Sequence, residues 1–111
     1  MRIYISGPIT GMEDTARHRF NFAAAELLFK YSRRKKPVSI IDPFSANSRI
    51  FGYFQEEPSH DDYMVASMAM LSLCDAIYMM EGWMNSEGCK QEYQYALEHG
   101  YDVIYQVGLR K

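Results

Sequence analysis

Cysteine, excess basic charge and long apolar runs are all scarce in this sequence, and each shortage removes a class of function. Only Cys74 and Cys89 occur, too few for a disulfide scaffold or a four-thiolate zinc site. Twelve basic residues stand against fourteen acidic ones, giving a net charge of −2. A domain that binds DNA or RNA draws most of its affinity from neutralising phosphates, so no nucleic-acid polymer is expected as partner. No apolar run approaches the ~20 residues of a membrane span, so no membrane partner is expected either. Met1-Arg2-Ile3 leads directly into a strand-like segment instead of a signal peptide. Repeats, low-complexity tracts and linkers are missing too. What is present is 111 residues, 48% of them apolar and 23% charged. That suits one domain of the usual ~100–150 residues, expected in the cytoplasm.

Arg2-Ile3-Tyr4-Ile5-Ser6 is a short apolar run stopped by Gly7-Pro8, which predicts a buried first strand. Helical spacing follows at Phe20, Ala23, Ala24, Leu27, Leu28 and Tyr31, with Asp14 or Thr15 as N-cap. Arg33 to Lys36 suits the end of that helix, where cations complement its dipole. Val38 to Ile41 is a second strand, and Phe44 to Pro58 reads as a long loop. Ser59 or Asp61 starts a helix to about Leu73. Ala76 to Met80 is a third strand, Ser86 caps a helix to His99, and Asp102 to Tyr105 is a fourth strand. Alternating β and α elements with near-continuous apolar strands predict an α/β fold. The expected form is a three-layer, doubly wound, flavodoxin-like parallel sheet of about four strands in the order 2-1-3-4.

Such sheets bind ligands beyond the carboxyl ends of their strands. That edge gathers Ser6-Gly7-Pro8-Ile9-Thr10-Gly11 after the first strand, Asp42-Pro43, which ends the second, and Glu81 to Ser86 after the third. The Gly7–Gly11 loop can bring backbone amides close to a phosphate, and Trp83 can stack on a base or anchor its loop. Ser86 serves as a cap, and its hydroxyl together with the free amides behind it also suits an anion. Glu92 lies at the margin of an apolar helix face, within two turns of the helix start. It is either a surface acid or a half-buried nucleophile or acid/base. Tyr4 reads as core. Asp75, at the amino edge of its strand, reads as structural. His18, His60 and His99 show no metal-ligand spacing, so no metal and no cofactor are expected.

Taken together, Tyr4-Ile5-Ser6-Gly7-Pro8, Cys74-Asp75-Ala76-Ile77, Gly82-Trp83 and Ser86-Glu87-Gly88 with Glu92 and Ala96 resemble the nucleoside 2-deoxyribosyltransferase superfamily. The likeness is closest to its small phage and bacterial branch. It extends over nearly the whole chain and is weakest from Phe44 to Pro58. The resemblance implies that Glu92 is a nucleophile toward C1′ of a deoxyribose and that Tyr4 lines the sugar pocket. It places Ser86 where related deoxynucleoside 5′-monophosphate N-glycosidases carry a phosphate-binding serine and the transferases an aspartate. It also places Ser67, eight residues before Asp75, where those enzymes carry an aspartate. A serine there cannot ionise to relay a proton to the leaving base, and Asp62 is on another side of the helix.

The expected function is therefore hydrolysis of a 2′-deoxynucleoside 5′-monophosphate, or base transfer, through Glu92. Tyr4, Ser6, the Gly7–Gly11 loop, Ser67, Trp83, Ser86 and Gly88 would surround the substrate. The alternative, which Ser67 favours, is a catalytically silent nucleotide-binding module. A phosphoacceptor receiver domain shares the topology but needs an acidic cluster where the first strand here ends in Tyr4-Ile5-Ser6. The resemblance also implies a homodimer or higher homo-oligomer.

Overall fold

The computed structural model describes residues 1–53 and 55–106. Its four strands are β1 (Arg2–Ser6), β2 (Ser39–Ile41), β3 (Ala76–Met79) and β4 (Asp102–Tyr105). All pair in parallel, in the order β2-β1-β3-β4, so the expected topology is the one observed. Four α-helices connect them: α1 (Glu13–Lys30), α2 (Pro43–Ile50), α3 (His60–Leu71) and α4 (Glu87–Glu98).

The pleat of β1 explains why its apolar run is unbroken. Ile3 and Ile5 point to one face and pack against Ala16, Phe20, Ala23 and Leu27, the i, i+3, i+4 stripe of α1. Tyr4 points to the other face with Ile77 and Met79, against Leu71 of α3 and Cys89 and Ala96 of α4. A strand buried on both faces has no room for alternating polar residues. Asp75 ties the amino edge together, its Oδ1 accepting from the Arg2 amide at 3.0 Å.

Helix starts follow their caps. Ser59 and Asp62 form a reciprocal capping box on α3, which commits Asp62 to that role. Ser86 Oγ accepts from the Cys89 amide and caps α4. At α1 neither Asp14 nor Thr15 is the cap. The helix begins at Glu13, and its acidic first turn, Glu13 and Asp14, complements the dipole instead. It ends at Lys30, before the Arg33–Lys36 run.

Residues 44–58 are not all loop, contrary to the sequence reading. Asp42 accepts from the amides of Phe44 and Ser45, and Pro43 occupies the first helical turn, a combination that starts α2. A 3-10 turn, Phe51–Tyr53, continues it. Eight residues are too few to display a period. The helix also turns several sides to protein, Phe44 stacking on Phe20 at 6.0 Å while Asn47 is buried. Among the described residues, no helix is long and apolar enough to cross a membrane.

Candidate active site

Tyr4 and Ser6 are two residues apart on β1, so both side chains emerge on the face covered by α4. There they meet Glu92, which comes from the second turn of α4. Tyr4 Oη donates to Glu92 Oε2 at 2.7 Å, and Ser6 Oγ donates to Oε1 at 2.6 Å. Each carboxylate oxygen thus has its own hydroxyl donor, and the group is only 6% exposed. Burial pushes its pKa up to about 7, while the Ser6 and Tyr4 hydroxyls pull the other way. Tyr4 is raised well above the usual phenol range, first by burial and then by the charge of Glu92, so it remains a donor. Burial likewise raises the Cys89 thiol, against the opposing effect of the Ser6 and Ser86 hydroxyls.

The other buried polar groups converge on the same place. Among the described residues, the buried polar or charged side chains are Ser6, Asn47, Ser67 and Glu92. Asn47, Ser67 and Glu92 all line one cavity of about 310 Å³, and Ser6 is bonded to Glu92 behind it. Burying polar groups costs free energy unless partners compensate, and scattered examples are the norm. Their concentration around one concavity, with a perturbed carboxylate in its wall, is the arrangement of a ligand site.

Of the residues the sequence singled out, Gly7, Ile9, Thr10, Ser67, Ser86, Gly88 and Glu92 line this cavity. Tyr4 and Ser6 stand behind it and hold Glu92. Three others are placed differently. Pro8 turns its carbonyl to Arg19 Nη2 at 2.7 Å, and Gly11 adopts φ 81° where the chain bends into α1. Trp83 packs at a tilt on Tyr93 with ring centroids 4.5 Å apart, which fixes its loop, and the indole is not part of the cavity wall.

Gly7 is required by close approach. A Cβ there would overlap Met80 Sδ and lie 3.1 Å from Met80 Cβ, and Met80 is itself buried. Gly7→Ala should therefore destabilise the fold by about 1–3 kcal/mol. Denaturant titration should show a lower midpoint at unchanged slope.

Several lining residues were not anticipated. Phe44 and Asn47 come from α2, whose start signal is Asp42-Pro43. His60, Tyr63 and Met64 form one i, i+3, i+4, i+7 stripe of α3 with Ser67, the one member the sequence had singled out. Its first turn lies at the carboxyl edge of the sheet, so that stripe was readable once Ser59 was taken as the cap. Glu13 completes the rim. Among the described residues, no three His, Cys, Asp or Glu side chains are grouped to hold a metal ion.

Fold and site together define an α/β protein with a buried, hydroxyl-clamped carboxylate in a cleft at the carboxyl edge of a parallel sheet. The chain belongs to the family described as Domain of unknown function (DUF4406), which it matches over residues 1–105. No curated protein and no solved structure matched the chain.

Proposed function

We propose that the protein hydrolyses the N-glycosidic bond of a 2′-deoxynucleoside 5′-monophosphate, as its likeness to the nucleoside 2-deoxyribosyltransferase superfamily implies. The observation that carries this reading is Glu92, buried beside a cavity with one hydroxyl donor on each oxygen. A Glu92 oxygen forms a bond to C1′ as the C1′–N bond breaks, and the electron pair leaves with the base, which takes up a proton. Water then hydrolyses the glycosyl ester, giving 2-deoxyribose 5-phosphate and returning the carboxylate. A fixed anion suits the oxocarbenium-like charge that develops at the sugar. Tyr4 and Ser6 hold both oxygens in place from behind the cavity wall. The start of α4, with Ser86 and the Gly88 amide, and the Gly7–Thr10 segment form the wall suited to phosphate. A homo-oligomer is part of this proposal.

Ser67 favours a second reading, a nucleotide-binding module without turnover, because no acid stands where the related enzymes protonate the leaving base. Incubation with a panel of deoxynucleoside 5′-monophosphates and the matching nucleosides, followed chromatographically for free base, separates the two. Base release from monophosphates is expected. Ser86→Ala should weaken monophosphate binding about tenfold or more, the worth of a hydrogen bond to a charged group, and leave nucleoside binding nearly unchanged. Equal losses for both ligands would reduce Ser86 to a helix cap.

A further inference from the structure

Among the described residues, Asn47 is the one buried polar side chain of the cavity with an atom left unsatisfied. The residue is 6% exposed, and its Oδ1 has no hydrogen-bond partner. Ser6, by contrast, is bonded to Glu92, and each Glu92 oxygen has a donor. A buried carbonyl oxygen without a donor is costly, so its retention at the edge of a cavity needs a reason. Hydrophobic replacement would remove the cost, and Phe44 and Met64 already line the same cavity.

The lining is mixed in chemistry. The α4 and Gly7–Thr10 side carries hydroxyls, amides and the carboxylate. The α2 and α3 side contributes the apolar Phe44 and Met64 and the ring of Tyr63, together with Asn47, His60 and Ser67. Aromatic and thioether groups of this kind accept the faces of a flat ring, and a lone carbonyl oxygen among them accepts one edge donor. A nucleotide bound with its phosphate at the start of α4 and its C1′ at Glu92 therefore directs its base to Asn47.

We propose that Asn47 selects the base, its Oδ1 accepting an N–H from an exocyclic amino group; the assignment rests on the nucleotide reading above. The terminal torsion of a carboxamide is broad, so a small rotation turns the oxygen to the ligand. A base with a carbonyl or hydrogen at that edge leaves the oxygen unpaired and binds less tightly. Such discrimination by an unpaired buried group is stronger than discrimination by size.

The test uses 2′-deoxyadenosine, 2′-deoxycytidine and 2′-deoxyguanosine 5′-monophosphates. For whichever binds tightest, the analogue with hydrogen in place of the amino group is titrated alongside. Wild-type protein should prefer the amino-bearing nucleotide by about tenfold. Asn47→Leu should lose that preference without a fall in Tm, because the unpaired oxygen contributes nothing to the free fold. Asn47→Asp keeps the acceptor and should keep the preference, which covers the case in which the leucine variant does not fold. An equal affinity for both ligands in the wild type, or a preference that survives in Asn47→Leu, overturns the role of Asn47 alone. Failure of every nucleotide to bind the wild type overturns the nucleotide reading and this assignment together.

Discussion

Glu92→Gln should abolish release of free base, by about three orders of magnitude or more, while raising the stability of the protein above neutral pH. The two effects have one origin. In the proposed reaction the carboxylate must be an anion to attack C1′, yet burial disfavours that anion and lifts its pKa from 4.5 to about 7. In the unfolded chain the group ionises near its ordinary value, so between about 4.5 and 7 the folded state holds the extra proton. Stability therefore falls as pH rises through that window, and the loss is complete above about 7. A rise of this size corresponds to about 3 kcal/mol. Glutamine carries no charge to bury, and the Tyr4 and Ser6 hydroxyls can rotate to donate to its oxygen or accept from its amide. At pH 8 the variant should melt above the wild type by upwards of about 10 °C, and at pH 4 the two should nearly coincide. Thermal scans at both pH values, beside a base-release assay, measure this. A variant that melts at or below the wild type at pH 8 would show that Glu92 is held as a stable anion. Wild-type protein that binds nucleotides without releasing base, and a variant that binds them equally well, would leave the binding module.

Ser67→Asp should have the second-largest effect, in the opposite direction on turnover. Ser67 is buried, lines the cavity and acts on Tyr4, its hydroxyl opposing the rise in that phenol's pKa. An aspartate there would place a second acid in the same cavity as Glu92. Two carboxyls in one low-dielectric site do not both ionise readily, so the pair retains a proton near neutral pH. One member then supplies the proton that the departing base needs, and general acid catalysis of this kind contributes ~10²–10⁴-fold. The same substitution should lower stability at pH 8, where the retained proton is lost and like charges face each other. Initial rates of base release and melting temperatures across pH 5 to 9 test both halves. An unchanged rate with an intact fold would mean that other parts of the cavity also lack what turnover requires.

The sheet and three of its helices were legible because each is long enough to carry a pattern. The β1 and β3 runs are apolar without interruption, and α1 repeats its stripe over 18 residues. Glu92 was legible as a residue on the border of a face, although spacing alone could not distinguish a surface acid from a buried one. What decides that is the register of β1 against α4, which puts Tyr4 and Ser6 opposite it. The α2 wall was not legible. Its eight residues hold no apolar repeat, and Asp42-Pro43 serves as well to end a strand as to start a helix. Asn47, the residue with the unpaired oxygen, went unseen for the same reason. Trp83 illustrates the converse: aromatic residues in a loop at the right edge of the sheet need not face the ligand, and here Tyr93 holds the indole.

The bonds that fix Glu92 join residues 88 and 86 positions apart in the chain. Their donors are therefore made long before their acceptor. β1 sits at the centre of the sheet, and its second neighbour, β3, begins only at Ala76. A nascent chain thus carries a hydrophobic central strand with one side unpaired until β3 has emerged. The carboxylate gives up its water only when α4 docks against β1. No fragment that stops short of α4 can hold Glu92 between its two hydroxyls, so a working site certifies a chain folded from β1 through α4.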